Sequence, residues 1–574
     1  GCLKRAAPFS FRVEKPKVLD LDKAEGAIVL WDMAKGRNVV FKEYDPDQAM
    51  LLPPSLEELI SKAHAVRVVA SVIERIDIEP LVETYKGGGT SSYHPRMLLK
   101  VLVYAYLNNI YSSRRIEGAL KENIHFMWLS GMKRPDHHTI NRFRGQRLKN
   151  NIREVFTQVV LLLMEAGHVD LKAVYTDGTK LEANANKYTF VWAKSIATNK
   201  KKMKARLEEL WDYAQGVAAE ELRGEDPGEM QELDPQKVEQ TIDAINAALK
   251  GKPVEKEVQQ KLSYARKNWG PNLRKYRMQE LILGERGSYS KTDPHATFMR
   301  MKDDHMGNGQ LKAGYNVQWS TQDQFIVHYS LHQDTTDTKT LIPHYEQLKA
   351  QLGKLPGAAV ADAGYGSEQN YEYLEAESVE AFVKYNYFHR ELQKSHQEKY
   401  PFEQGRLYYN AARNEYTCPM GQPMRHIGDQ RSTTKAGHPQ NVSRYQAHNC
   451  AGCPLNGACH KAKGNRIIEV NHRLNQLKAQ ARELLTSEEG LRHRSTRPIE
   501  VESAFGNLKQ NKGFTRFMLR GLHKVTLEIG LLSTAINLKK WARILQNKTE
   551  EGLQSGLSCL RWAIFQRFAT APIG

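Results

Sequence analysis

The sequence predicts a mixed α/β core of five strands with helical cover, joined to an all-α N-terminal domain, a helical insertion and a small cysteine-rich insertion. Three observations point there. Two short runs rich in β-formers reach an aspartate followed closely by glycine, Val174-Tyr-Thr-Asp177-Gly178 and Val360-Ala-Asp362-Ala-Gly364, and helical patterns separate them. A chain of 574 residues exceeds one hydrophobic core. Four of the six cysteines crowd between positions 418 and 459.

Residues 1 to 40 are read as an extension. From 41 to 150 the pattern is helical, punctuated by Pro53, Pro80, Pro95 and Pro135, with a Gly87-Gly-Gly-Thr-Ser-Ser92 loop in the middle. The segments 111 to 120 and 135 to 144 read as two helices with a longer connection, the second capped by Asp136. Its polar face carries His138, Asn141, Arg142 and Arg144, which suits a DNA-recognition helix and equally an ordinary surface helix.

A helix from 151 to 166, ended by Gly167, leads into the first core strand, and Asp177 falls where that strand gives way to Gly178, at the edge where open α/β sheets place ligands. Residues 191 to 287 are a charged helical insertion: a helix through Lys200-Lys-Lys-Met-Lys204, a break at Asp226-Pro-Gly228, and another helix from Pro235. Residues 314 to 319 and 325 to 331 flank a polar turn as a hairpin. A helix from 338 to 352, the Asp362 strand, a further helix and the strand Glu380-Ala-Phe-Val-Lys-Tyr385 complete the sheet. The core is thus expected from 168–190, 288–388 and 466–545, with the cysteine-rich insertion at 389–465 and a C-terminal tail at 546–574.

In Arg497-Pro-Ile-Glu-Val-Glu502-Ser-Ala-Phe-Gly-Asn-Leu-Lys509, Thr496 is the expected N-cap, Pro498 suits a first turn, and Val501, Ala504, Phe505 and Leu508 form an apolar stripe. Glu502 and Lys509, seven residues apart, project from one flank of it. Asp177, Asp362 and Glu502 are the hard oxygen ligands that Mg2+ takes, and two such ions roughly 3.5–4 Å apart can serve both oxygens of a phosphodiester exchange; Mn2+ is expected to substitute. Glu500 is the rival to Glu502, but seven residues beyond it stands Asn507. Asp293, Asp303, Asp304, Asp334 and Asp337 read as caps, turns or supporting groups.

With Asn184-Ala-Asn186-Lys-Tyr-Thr-Phe190 and Thr292-Asp-Pro-His-Ala-Thr-Phe298, these segments resemble bacterial insertion-sequence transposases of the DDE class over roughly residues 40 to 545. The resemblance implies a ribonuclease H-like catalytic domain with its triad at Asp177, Asp362 and Glu502. It also implies a partner in double-stranded DNA, both terminal inverted repeats and target, action as a homodimer, and a place at the nucleoid of a bacterial cell. Arg142 and Arg144 become candidate DNA contacts. Related transposases often carry a tyrosine, an arginine, the glutamate and a lysine at fixed spacing. Here Glu502 and Lys509 keep it, Ser495 and Pro498 stand at the other two positions, and Arg497 lies one place before Pro498. Lys509 and Arg497 are the candidates for DNA phosphate. A non-catalytic DNA-binding descendant and a hydrolytic nuclease on the same fold are the alternatives.

The formal net charge of +18 agrees with a polyanionic partner. The longest apolar run, 159 to 164, is too short to span a membrane. Cys418, Cys450, Cys453 and Cys459, with His460 as an alternative to the last, read as a structural Zn2+ site, because a reducing interior disfavours disulfides and Zn2+ accepts four thiolates. Cys2 and Cys559 read as ordinary residues.

Overall fold

The computed structural model describes residues 55–85, 91–223, 233–301, 310–434 and 436–554. The expected extension at 1–40, the glycines of the 87–92 loop, the Asp226 break, Asp303, Asp304, Cys2 and Cys559 lie outside them.

The N-terminal region is built from α1 (Ala65–Arg75), α2 (Glu79–Val82), α3 (Pro95–Leu107), α4 (Ser113–Glu122), α5 (Ile124–Ser130), α6 (His137–Arg142) and α7 (Ile152–Glu165). In α1, Val66, Val69, Val72 and Ile73 recur at helical spacing and are buried, while His64 Nδ1 accepts the Val66 N–H as the cap. The connection expected between the two helices at 111–144 contains α5, ended by Gly131 in the left-handed region (φ 56°). Asp136 caps α6, accepting the Thr139 N–H at 2.8 Å. After Arg142 the helix widens into a π turn, Phe143–Arg147.

β1 (Ala173–Glu182) opens the central sheet. The insertion follows as β2 (Phe190–Trp192), α8 (Ala193–Ala218), α9 (Pro235–Ala248), α10 (Lys256–Leu283) and β3 (Ser288–Ser290), with β2 and β3 paired at its neck. Its three helices pack on a core of their own around Leu207, Trp211, Ile245 and Trp269. The sheet resumes with β4 (Thr297–Arg300), β5 (Leu311–Gln322), β6 (Phe325–His332), α11 (Leu341–Leu352), β7 (Ala358–Gly366), α12 (Glu368–Ala376) and β8 (Glu380–Tyr385). Strands run β4-β5-β1-β7-β8, with β6 also on β5; β1, β7 and β8 are parallel, and β4, β5 and β6 pair antiparallel. Such a mixed sheet with helices agrees with a ribonuclease H-like fold. It has six strands rather than the expected five, because β5 is long enough to pair β4 along residues 311–314 and β6 beyond them. The β5–β6 hairpin turns on Asp323 and Gln324, both at positive φ (47° and 57°), the two-residue loop whose twist matches the strands.

Two short helices, α13 (Phe388–Glu391) and α14 (Lys394–Lys399), lead to a second, antiparallel sheet of β9 (Tyr409–Asn410), β10 (Glu415–Thr417), β11 (Pro423–Thr433), β12 (Pro439–Ala447) and β13 (Ile467–Val470). Helix α15 (His472–Thr486) returns to pack on β8. Helix α16 (Glu488–Arg497) runs on through a π turn (Pro498–Glu502), α17 (Ser503–Gly506) and a second π turn (Asn507–Asn511). The N-cap of this run is Ser487, which accepts the Gly490 N–H at 3.0 Å, and not the expected Thr496. Pro498 therefore stands inside a helix; it has no N–H to return to the preceding turn, and the next turn opens so that the Ser503 N–H reaches the Pro498 carbonyl five residues back.

The last helix, α18 (Leu522–Gln554), is buried almost all round from Val525 to Leu538 and packs on α1, α3, α7 and β6. It extends through residues 546–554, which were expected in a tail. Asn537 accepts the Ile326 N–H (2.8 Å) and donates to the Ile326 carbonyl (2.7 Å), occupying backbone groups on the open edge of β6. A Cβ at Gly530 would sit 2.6 Å from Ile152, so glycine is what permits this close approach. The N-terminal helices and the sheet consequently share one continuous core. No helix among the described residues is long and apolar enough to cross a membrane.

Candidate active site

The register of the parallel strands creates the site. β1 and β7 pair from Ala173↔Ala358 to Thr176↔Ala361 and then part. Neither strand ends there, contrary to expectation: β1 continues against β5 with Asp177 opposite Trp319, while β7 leaves β8 between Ala361 and Gly366. Asp177 and Asp362 are thus the first residues beyond the last paired rung. Asp177 is 5% exposed; Asp362 is half-buried and accepts the Gly364 N–H at 2.8 Å.

Glu502 arrives on the π turn, which sets residues five apart in line, where an α-helix sets residues four apart. The extra residue brings Arg497 over Glu502 and offsets its displaced position in the sequence. Arg497 then touches all three carboxylates: Nη2 is 3.1 Å from Asp177 Oδ2 and 3.7 Å from Asp362 Oδ2, and Nη1 donates to Glu502 Oε1 at 3.2 Å. Its side chain is more than nine-tenths buried. The stripe beneath Glu502 is buried as the spacing predicts, with Phe505 stacked on Trp319 (centroids 4.8 Å, planes 4° apart). Glu500 faces elsewhere; it accepts the Gln324 N–H at 2.6 Å, capping the hairpin turn, and burial raises its carboxyl pKa.

As a donor set the three carboxylates fit Mg2+, and their convergence on one cation shows that the cleft attracts positive charge. Among the described residues no three His, Cys, Asp or Glu side chains are already drawn round a metal-sized point; here the guanidinium stands between them.

Lys384 was missed by sequence reasoning. It is half-buried on β8, under the charges of Asp362 and Glu502, and its ammonium pKa is lowered by burial first and by Arg497 and Arg494 next. The signal was its place one residue beyond Ala361↔Val383, the last β7–β8 rung before the register shifts, the position that Asp362 holds on β7. Lys509 lies half-buried on the second π turn.

Arg142 is exposed at the end of α6. Arg144, expected on the same face, is only 3% exposed and turns inward, donating from Nη1 to Tyr106 Oη (3.1 Å) and the Tyr111 carbonyl (2.7 Å) and from Nη2 to Asn141 Oδ1 (3.3 Å). Arg144 stands four residues after Ile140 and beside Phe143, both buried, so helical spacing puts it on the inward face, away from the exposed Arg142.

The four grouped cysteines are free thiols at one end of the second sheet. Gln422 N–H donates to Cys418 Sγ (3.3 Å), Arg466 N–H to Cys450 Sγ (3.4 Å), and Arg466 Nη1 to Cys459 Sγ (2.9 Å), while His460 Nε2 faces the Gly464 carbonyl at 3.0 Å. The zinc expectation is therefore unsupported: the described cysteines form no metal-holding group, and the cationic Arg466 donates to the sulfur of Cys459.

Two family models match the chain. One, described as Transposase DDE domain, covers residues 417–542 and includes Glu502; the other, Transposase domain (DUF772), covers residues 54–146, the N-terminal helices. No curated protein matches. These two matches indicate an insertion-sequence DDE transposase.

Proposed function

We propose that the chain binds the terminal inverted repeats of its insertion sequence as a homodimer at the nucleoid, cuts the DNA there and joins the freed 3′ ends to target DNA. The observation that carries this reading is the meeting of Asp177, Asp362 and Glu502, from three distant segments, on one guanidinium. Asp177, Asp362 and Glu502 would hold two Mg2+ ions. Bound there, the metals supply an activated attacking oxygen and a stabilised leaving oxygen. In cleavage, water attacks phosphorus and the DNA 3′ oxygen leaves; in joining, that 3′ hydroxyl attacks a target phosphodiester, whose own 3′ oxygen leaves. The chain's own work is to orient. The fixed register of β1 and β7 sets the spacing of the two aspartates, and the Phe505–Trp319 stack holds the Glu502 helix on β5. Arg497, released from the carboxylates, and Lys509 would hold DNA phosphates beside them.

Asp177→Asn, Asp362→Asn and Glu502→Gln should each abolish cleavage of end DNA, measured with Mg2+ or Mn2+ on labelled duplex, while affinity for that duplex stays within a few-fold. Substantial cleavage by any of the three removes that residue from the triad. Cut ends that are released and never joined to target would make the protein a nuclease.

A further inference from the structure

A fourth carboxylate borders the cleft. Asp337 lies just before α11, and its segment is tied to β7: Thr338 Oγ1 donates to the Gly364 carbonyl (2.9 Å), and Asn370 Nδ2 bridges the carbonyls of Thr338 (3.0 Å) and Tyr365 (2.8 Å). Asp337 Oδ1 accepts from two buried amides of β5, Asn316 Nδ2 (2.7 Å) and Gln318 Nε2 (3.0 Å). Glycines make the room. A Cβ at Gly178, next to Asp177, would stand 2.7 Å from Asp337 Oδ1. A Cβ at Gly364 would stand 3.0 Å from Asp362 Oδ1 and 3.7 Å from both Cβ and Oδ2 of Asp337, so the two side chains border one small space. The buried Tyr365 phenol, which donates to Gln318 Oε1, has its pKa raised by burial and then by the charges of Asp337, Asp177 and Asp362. Arg497, over nine-tenths buried, meets the triad carboxylates through Nη1 and Nη2, while its Nε has no hydrogen-bond partner among the described residues.

We propose that Asp337 is a fourth carboxylate of the metal site, binding a divalent cation through Oδ2 beside Asp362 while Asn316 and Gln318 hold Oδ1. The proposal rests on the reading of Asp177, Asp362 and Glu502 as metal ligands. An oxygen with two amide donors is held still, which leaves the other oxygen aimed and available for a hard cation.

The test uses the full chain and the bare metal. Asp337→Asn keeps an oxygen for both amides but removes the charge. Mn2+ binding, followed by the electron paramagnetic resonance of free Mn2+, should weaken at least tenfold, and the melting temperature in EDTA should hold or rise, since four carboxylates there face few cations. A lower melting temperature with unchanged Mn2+ affinity would reduce Asp337 to a structural acceptor and overturn the proposal. If Asp337→Asn does not fold, Asp337→Glu keeps the charge and moves the oxygen by one methylene; wild-type Mn2+ affinity in that variant equally overturns it. Asp177→Asn is run beside them. Loss of Mn2+ binding there with none at Asp337 sinks only the fourth ligand, whereas unchanged binding at Asp177 sinks the metal reading itself.

Discussion

Arg497 Nη2 lies 3.1 Å from Asp177 Oδ2, and both side chains are less than a tenth exposed. A metal ion at this site would compete with the guanidinium for those oxygens. On the proposed function, bound end DNA would offer the arginine another anion, so that the exchange need leave no charge unpaired.

Arg497→Ala should therefore bind Mn2+ more tightly than the wild type in the absence of DNA, by about tenfold, or roughly 1.4 kcal/mol. The same variant should cut end DNA poorly. Calorimetric titration of the DNA-free protein decides it, and equal or weaker Mn2+ binding would show that arginine and metal use different oxygens.

Arg142 and Arg144 should separate cleanly despite standing two residues apart. Arg142→Ala is expected to weaken binding to end DNA and flatten its salt dependence by about one unit of slope if it touches phosphate, with melting temperature unchanged. Arg144→Ala should leave the Tyr106 hydroxyl and Tyr111 carbonyl without their donor and cost about 1–3 kcal/mol of stability. Chemical denaturation beside DNA titration would expose the opposite pattern.

Glu528 gives a pH prediction. It is fully buried on α18, accepts the Met518 (3.0 Å) and Leu519 (2.9 Å) N–H groups, and has its pKa pushed up to about 7, chiefly by burial. A carboxyl raised in the folded state binds its proton there while the unfolded chain has lost it, so stability falls as pH rises from the unfolded value near 4.5 through about 7. Glu528→Gln should melt near the wild type at pH 4.5 and above it at pH 8, the difference approaching about 3 kcal/mol. A constant offset across that range would refute the assignment.

The sheet was legible because period-two strands bounded by glycine are local signals, and both candidate aspartates were proposed from them. Their setting was not legible. Strand continuation past Asp177 depends on pairing with β5, more than a hundred residues away, although the inward turn of Arg144, four residues after the apolar Ile140, was there to be read in the helical spacing. Lys384 escaped for the same reason, since only the β7–β8 register brings it beside Asp362. The cysteine spacing suggested zinc, yet it could not reveal that Arg466, beyond the last cysteine, folds back onto Cys459.

The widened turn between Pro498 and Glu502 also bears on how such chains tolerate change in length. A helix that takes up a surplus residue as a local bulge passes the error in angular phase to one side and spares the other. Here the spared side holds Phe505 and Leu508 against the sheet, and the error is discharged into α16, where only Gly490, His493 and Arg497 are buried. Arg497 therefore reaches Glu502, 3.2 Å away, although it stands one position before the place where the resemblance would put an arginine.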